Sequence, residues 1–134
     1  MNLGEPGSRE VEITLFEGVG GAEVFHRLAA AFYRGVESDP LLRPMYPADD
    51  MEGARERLAL FLMQYWGGPT TYSEQRGHPR LRMRHFPFSI GRAERDAWLR
   101  LMTAALDETG IQEPYRSMMM AHFTHTADFL RNRD

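Results

Sequence analysis

Apolar residues recur at intervals of three and four in the stretch 22–37, the spacing that places them on one face of an α-helix. The face consists of Phe25, Leu28, Ala29, Phe32, Tyr33 and Val36. A glycine-rich turn at 18–21 precedes the stretch and Asp39-Pro40 follows it, so turn signals lie at both ends. The pattern therefore predicts a first long helix at 22–37.

Three further stretches show a helical distribution of apolar residues, at about 50–66, 92–107 and 112–131. The stretch 92–107 is apolar almost all round, which is typical of a central helix. The last stretch is expected to bury Met118, Met119, Phe123, Ala127 and Leu130, and its Arg131 and Arg133 suit the dipole at a helix C-terminus. Because no long alternation of apolar and polar residues is present, we predict an all-α fold with four main helices.

Length and composition limit the domain organisation and the partners. At 134 residues the chain can form one domain, which we place at 13–134, after a polar, glycine- and proline-containing stretch at 1–12 that we expect to be a disordered tail. The net charge of −3, with both signs interspersed, predicts no general attraction to nucleic acid or to a membrane surface. No segment has the roughly 18 apolar residues of a membrane span. We expect a soluble, cytoplasmic protein.

The residue types exclude several kinds of chemistry. The absence of cysteine rules out disulfides, iron–sulfur clusters, thiolate zinc sites and cysteine nucleophiles. No HExxH, Walker or GxSxG motif is present. His122 and His125 have the i, i+3 spacing that can share a metal ion, but no carboxylate has a matching offset on the same face. We expect both to be ordinary helix residues.

The stretch 77–88, between the second and third long helices, combines histidine with arginine and aromatic residues. Pro79 suits the first turn of a short helix and Pro87 limits its length, so His85 is expected at the helix end. Phe86 and Phe88 follow, and three arginines precede the histidine. An imidazole ligand, apolar walls and cations for carboxylates are what an iron porphyrin needs. Taken alone, the pattern also fits an ordinary core or surface histidine.

The motifs around this stretch resemble those of the truncated haemoglobins, and more narrowly the actinobacterial branch of group II. The resemblance is carried by Gln-Tyr-Trp-Gly-Gly-Pro at 64–69, Gly-His-Pro at 77–79 and Arg84-His85, and it covers about 15–130. It implies a two-over-two helical sandwich that holds haem b, iron protoporphyrin IX.

The same resemblance implies a role for each matching residue. His85 becomes the iron ligand, and Trp98, Tyr33 and Tyr46 become hydrogen-bond donors to a bound gas. Ala54 matches the position at which most globins have a distal histidine, and Leu58 follows one turn later, so neither can donate a hydrogen bond. Polar control of the ligand then depends on Trp98 and the two tyrosines.

The haem contacts follow from the resemblance in the same way. Arg57 and Arg84 match positions that pair with the haem propionates, with Tyr72 and His78 near the same edge. The apolar wall is expected to contain Phe61, Leu81, Phe88, Ile90, Met102 and Phe123, together with Thr126. A backbone carbonyl of the short helix is expected to accept a hydrogen bond from His85.

These assignments leave several functions open. The first is reversible dioxygen binding or transport, in a pocket that can also admit nitric oxide, carbon monoxide, cyanide or sulfide. The second is an enzyme, a nitric oxide dioxygenase that depends on a separate reductase. Peroxidase activity is less favoured, because no distal histidine or carboxylate is placed as a base. A haem-free helical interaction module is the third. A homodimer is also left open.

Overall fold

A computed structural model describes residues 13–134 of the chain. This range contains seven α-helices and one 3₁₀-helix and no β-strand, which confirms the predicted all-α class. None of these helices is both long enough and apolar enough to cross a membrane. The tail predicted at 1–12 lies outside the described residues.

Four of the helices are long and lie close to the predicted positions. In chain order the helices are α1 (Leu15–Val19), α2 (Ala22–Glu37), α3 (Met51–Tyr65), α4 (Thr71–Arg76), α5 (Leu81–His85), α6 (Arg92–Thr109) and α7 (Tyr115–Phe129), with the 3₁₀-helix Arg43–Met45 after α2. Helices α1 and α4 have only five and six residues. They are too short to show a periodic apolar face, so the apolar pattern does not predict them.

Local capping explains where the helices begin and end. The Asp50 carboxylate accepts a hydrogen bond from the backbone N–H of Gly53 at 3.1 Å, so it caps the start of α3. The Asp39 carboxylate accepts one from the N–H of Leu42 at 3.0 Å and shapes the turn after α2. Gly110 ends α6 in the left-handed conformation, with φ of 79°, where a side chain would be strained.

The long helices form two layers. One layer packs α2 against α3 and the other packs α6 against α7, and a contact between α2 and α6 joins them. The core contains Phe25, Leu28, Phe32, Met102, Leu106, Met119 and Phe123, all almost fully buried. Each such side chain stabilises the fold by about 1.5–3 kcal/mol relative to its exposed state.

The central helix is α2 rather than the predicted helix at 92–107. Eight side chains of α2 are buried, against five in the longer α6. On α6 the apolar residues Trp98, Leu99 and Leu101 are only half-buried. A helix that carries apolar residues on all sides can therefore still leave part of its surface outside the core.

The short helix α5 begins two residues later than the sequence suggested. Pro79 lies before the helix rather than in its first turn, and Arg80 precedes α5 in the left-handed conformation with φ of 48°. The His78 Nδ1 atom accepts a hydrogen bond from the Arg80 N–H at 3.1 Å, which holds this turn. His85 ends the helix, as predicted.

The last helix differs from the prediction at its start. It begins at Tyr115 instead of 112, directly after Pro114. Met119 is fully buried as expected, whereas Met118 is 51% exposed. Neighbouring helical residues point about 100° apart, so the face that buries Met119 turns Met118 toward solvent.

Candidate functional site

A cavity of about 290 Å³ lies between the helix layers. All four long helices contribute side chains to its wall, as do α4, α5 and the connection after α2. The wall includes Phe32 and Leu62 from the core, and it reaches the surface at exposed Arg76 and Arg84. The cavity therefore joins an apolar interior to a cationic edge.

His85 lines this cavity from the end of α5. Its Nδ1 atom lies 2.7 Å from the backbone carbonyl oxygen of Leu81, one turn earlier in the same helix. A carbonyl can only accept, so Nδ1 carries the proton and the lone pair is on Nε2. This contact confirms the backbone partner predicted for His85, and it leaves Nε2 available as a metal ligand.

Three aromatic side chains with polar groups line the same cavity: Tyr33, Tyr46 and Trp98. The rings of Tyr33 and Tyr46 meet edge to face with centroids 5.3 Å apart, and Trp98 packs on Phe32 at the same centroid distance. Burial raises the pKa of the Tyr46 hydroxyl to about 12, although the Trp98 indole partly opposes the rise. Burial and the neighbouring Tyr46 also raise the pKa of Tyr33. Both hydroxyls are therefore protonated donors at neutral pH.

Four guanidinium groups line the cavity, those of Arg57, Arg76, Arg84 and Arg95. The Arg57 Nη1 atom lies 3.3 Å from the Asp50 carboxylate, and the Arg84 Nε atom donates to the Pro79 carbonyl at 2.8 Å. A guanidinium has five N–H groups, so each of these side chains keeps donors free. The edge can therefore bind carboxylates of an inserted group.

The structure brings most of the predicted site residues to one wall. The predicted residues that line the cavity are Tyr33, Tyr46, Arg57, Leu58, Phe61, Tyr72, Leu81, Arg84, His85, Phe88, Ile90, Trp98, Phe123 and Thr126. Three others lie outside this lining. Ala54 and Met102 are buried in the core, and His78 is exposed at the turn before α5. The family resemblance suggested Ala54 and His78, and Met102 was expected in the apolar wall; none of the three is among the residues that line the cavity.

The cavity wall also contains titratable residues that the sequence did not place there: Arg76, Glu94, Arg95 and His122. The His122 ring stacks on Tyr65 with centroids 4.0 Å apart, and burial, followed by the nearby His125, lowers its pKa. The position of His122 directly before the core residue Phe123 was the available signal. The pair His122 and His125 belongs to no group of three or more metal-ligating side chains in the described range.

The segment 88–91, which follows His85 closely in the chain, is hydrogen-bonded to residues 132 and 133. The Asn132 side-chain amide makes two hydrogen bonds to this segment. Its Oδ1 atom accepts from the Ile90 N–H at 2.8 Å, and its Nδ2 atom donates to the Phe88 carbonyl at 2.7 Å. Arg133 donates two hydrogen bonds to the Glu94 carboxylate, at 3.0 and 2.9 Å. We call this set of contacts the clasp. The sequence analysis placed Arg133 at the C-terminal dipole of its own helix; the structure instead pairs it with the Glu94 carboxylate of α6.

Glu94 is the buried centre of the clasp. Its carboxylate accepts a hydrogen bond from the Gly91 N–H at 2.8 Å, which lowers its pKa more than any other contact, and Arg133 lowers it further. A Cβ atom at position 91 would lie 2.7 Å from both the Arg133 Nη1 atom and the Asp134 carbonyl oxygen. Glycine is therefore required at 91 for the close approach of 132–134.

The cavity has the residues that an iron porphyrin needs. One imidazole offers a free Nε2, the aromatic walls are flat and apolar, and guanidinium groups stand at the exposed edge for the propionates. Tyr33, Tyr46 and Trp98 add neutral hydrogen-bond donors. Haem supplies an iron centre whose ligand chemistry depends on the axial ligand and on such donors.

Comparisons with known proteins agree with this geometry. A family model described as bacterial-like globin matches residues 14–132. The chain is 42% identical over 113 residues to the group 2 truncated haemoglobin YjbI of Bacillus subtilis (strain 168), which covers 84% of this chain and 85% of that relative.

Two crystal structures are closely similar in fold. The haemoglobin of the thermophilic phototrophic bacterium Chloroflexus aurantiacus has a TM-score of 0.89 and 56% identity, and the match covers 91% of this chain and 100% of that one. The thermostable haemoglobin of the actinobacterium Thermobifida fusca has a TM-score of 0.87 and 55% identity, with 90% and 98% covered. The chain therefore belongs to the bacterial-like globin family, as a two-over-two truncated haemoglobin of group II that binds haem b.

Proposed function

We propose that the chain binds dioxygen reversibly, with His85 as the ligand of the haem iron. The observation that carries this proposal is the 2.7 Å contact from His85 Nδ1 to the Leu81 carbonyl, which keeps Nε2 unprotonated in the cavity wall. A hydrogen bond of this kind fixes the tautomer and the ring orientation of a ligating histidine. Ferrous haem supplies the open coordination position for a diatomic gas.

Trp98, Tyr33 and Tyr46 hold the gas by hydrogen bonds in this proposal. Dioxygen gains partial negative charge as it binds, and neutral N–H and O–H donors in a water-poor pocket stabilise such charge. Leu58 and Phe61 supply apolar wall, and Ala54 leaves α3 without a donor at the matching position. Nitric oxide, carbon monoxide, cyanide and sulfide can enter the same space.

The remaining lining residues hold the haem. We assign the propionate contacts to Arg57 and Arg84, with Tyr72 beside them and Arg76 as a third cation at the same edge. The apolar contacts come from Leu81, Phe88, Ile90 and Phe123. Met102 and His78, which lie outside the cavity lining, have no contact with haem in this assignment.

The Trp98→Phe variant tests the donor assignment. Loss of one hydrogen bond, worth about 1–2 kcal/mol, should raise the dioxygen dissociation rate about 5- to 30-fold. Stopped-flow displacement of dioxygen by carbon monoxide measures this rate. Trp66→Phe is the matched control, because the Trp66 side chain does not line the cavity; it packs on Phe25 and on the outer side of the lining through Phe123. Equal rates in wild type and Trp98→Phe would remove Trp98 from the ligand site.

A second function, nitric oxide dioxygenation, uses the same pocket. Dioxygen, nitric oxide and one electron together give one nitrate ion, so turnover requires an electron donor. The observation that favours this function is the exposed arginine group of α5 beside the cavity, which suits an acidic protein partner. Rapid mixing of the oxygenated protein with nitric oxide should yield one nitrate per haem. Stable nitrosyl haem without nitrate would exclude the reaction.

A further inference from the structure

The charge of the chain is unevenly distributed. Residues 75–93 contain five arginines and no aspartate or glutamate, so this stretch carries +5 while the rest of the chain carries −8. The overall charge of −3 hides this difference. Charge separation of this size produces a local positive potential in a protein that is acidic elsewhere.

The arginines around α5 lack intramolecular ion pairs. Eight other arginines form salt bridges in the described range, but Arg76, Arg80, Arg82 and Arg84 form none with residues 13–134. All four side chains are exposed. Arg82 instead lies over the Phe129 ring, 5.0 Å from its centroid. These charges are therefore available to a partner.

Two large apolar side chains lie among these arginines. Phe86 is 77% exposed and Met83 is 59% exposed, and α5 has no buried residue. An aromatic residue, a methionine and several arginines at one surface match the composition of protein interfaces, which are enriched in these types. We call Arg80, Arg82, Met83, Arg84 and Phe86 the α5 face.

The α5 face adjoins the haem site. It surrounds His85 in sequence, and Arg84 also lines the cavity together with Arg76. A partner bound here would lie next to the iron ligand and the edge assigned to the propionates. Two propionates would neutralise two of the positive charges, which leaves Arg80 and Arg82 outside the cavity lining with their charges free.

We propose that the α5 face is the docking surface for an acidic one-electron carrier protein that reduces the haem. This inference rests on the proposed function, because dioxygen binding requires ferrous iron. In the step, the partner loses one electron and ferric haem iron gains it; no bond forms and no proton moves. Long-range attraction between an acidic carrier and the α5 face speeds their encounter at low salt.

Two other occupants fit the charge less well. A second copy of this chain would use the α5 face on one molecule and an acidic surface on the other, a head-to-tail contact that does not close a dimer. The rest of the chain carries a charge of −8, which would repel the phosphate backbone of a nucleic acid. Both occupants give distinct results in the test below.

The probe is a strongly acidic plant-type [2Fe–2S] ferredoxin, and the protein is the haem-loaded full chain. We expect the variant Arg80→Gln/Arg82→Gln to weaken binding of oxidised ferredoxin at 20 mM salt at least fivefold, measured by calorimetry. Stopped-flow reduction by reduced ferredoxin should slow by a similar factor. At 500 mM salt the difference between wild type and variant should disappear.

The matched control is Arg27→Gln/Arg34→Gln on α2, which makes the same change in net charge away from the α5 face. Phe86→Ser tests the apolar contact and should weaken binding at both salt concentrations. Photoreduced deazariboflavin, which is small and uncharged, should reduce wild type and all variants at equal rates. These controls separate docking from any change in the haem itself.

Equal ferredoxin affinity in wild type and Arg80→Gln/Arg82→Gln would overturn the docking inference. So would self-association that the variant abolishes, or salt-dependent binding of duplex DNA in place of ferredoxin. If the haem spectrum and the dioxygen dissociation rate are unchanged in these variants, the proposed function stands even when docking fails. If wild type does not bind dioxygen, the proposed function itself fails.

Discussion

At the level of single residues, hydrogen bonding and burial fix the protonation of the groups in the cavity. The Leu81 carbonyl holds the proton of His85 on Nδ1. Burial keeps the hydroxyls of Tyr33 and Tyr46 protonated, because an ionised phenol loses more solvation there than a neutral one. The site therefore places an imidazole nitrogen in the same cavity as two neutral hydroxyl donors.

The tyrosine hydroxyls give a prediction about alkaline pH. The pKa of Tyr46 is raised to about 12, whereas an exposed tyrosine has a pKa of 10. The unfolded chain thus ionises at lower pH than the folded one, so this contribution to stability is complete below pH 10 and is lost as the pH rises toward 12. Absorbance titration near 295 nm should show a late ionisation that Tyr46→Phe removes. If Tyr46→Phe instead removed an ionisation near pH 10, the burial of this hydroxyl would be contradicted.

At the level of elements, the clasp controls the segment that follows His85. Asn132 and Arg133 bind 88–91 and α6, and Phe88, Ile90 and Glu94 all line the cavity. The contacts span about 40 residues of sequence, and their formation depends on how α6 and α7 pack. The shape of the wall beside His85 therefore depends on a segment far from it in the chain.

The clasp predicts a stability effect for Arg133→Met. In this variant the buried Glu94 carboxylate keeps the hydrogen bond from the Gly91 N–H but loses its cation. Because Arg133 is half exposed, we expect the free energy of unfolding to fall by only about 1–2 kcal/mol. Urea unfolding of the haem-loaded protein measures this loss, and the rate of haem transfer to an apo-globin should rise. Arg131→Met is the control, since Arg131 pairs with exposed Asp128. Equal effects of both variants would argue against the clasp.

The clasp also gives a pH effect of opposite sign to that of Tyr46. The pKa of Glu94 is held below its ordinary value of 4.5 by the Gly91 N–H and by Arg133. Its contribution to stability is therefore present above pH 4.5 and is lost as the pH falls through the lowered pKa. In Arg133→Met the pKa of Glu94 should lie closer to its ordinary value, so the free energy of unfolding should fall less as the pH is lowered.

At the level of the whole molecule, the cavity is part of the interface between the two helix layers. Side chains of α2, α3, α6 and α7 all reach it. A group that only the folded chain binds stabilises the folded state by mass action. The free energy of unfolding rises by about 4 kcal/mol when the concentration of the group is about 1,000 times its dissociation constant.

Removal of haem should therefore lower the melting temperature. For a chain of this size, we expect a decrease of about 10–20 °C between the haem-loaded and the haem-free protein. Differential scanning calorimetry of both forms measures the difference, and added haemin should reverse it. Identical melting temperatures would contradict the stabilisation of the folded chain by bound haem.

Several features of this molecule could be predicted from sequence because they depend on local patterns. The four long helices follow from apolar periodicity and capping residues, and the motif around Gly77 and His85 pointed to a histidine that lines the cavity and has a backbone partner in its own helix. Other features depend on packing between distant segments. The contact of Arg133 with Glu94 and the position of His122 in the cavity wall require the relative placement of α3, α6 and α7, which periodicity does not specify.

The same distinction explains the site residues that lie elsewhere than expected. Ala54 and Met102 were assigned to the site, but their side chains belong to the buried core and are not among the residues that line the cavity. His78 instead stabilises the turn before α5, because its Nδ1 atom accepts a hydrogen bond from the Arg80 N–H. A motif therefore identified the region of the cavity better than it identified the individual residues that line it.

Coordination by His85 is tested most directly with the variant His85→Gly, titrated with haemin in the absence and presence of imidazole. Wild type should take up one haem per chain and show an intense band near the violet end of the visible spectrum. We expect His85→Gly to lose this spectrum and to recover it when imidazole replaces the missing side chain in the cavity. A variant that binds haem with the wild-type spectrum and without imidazole would contradict the assignment of His85.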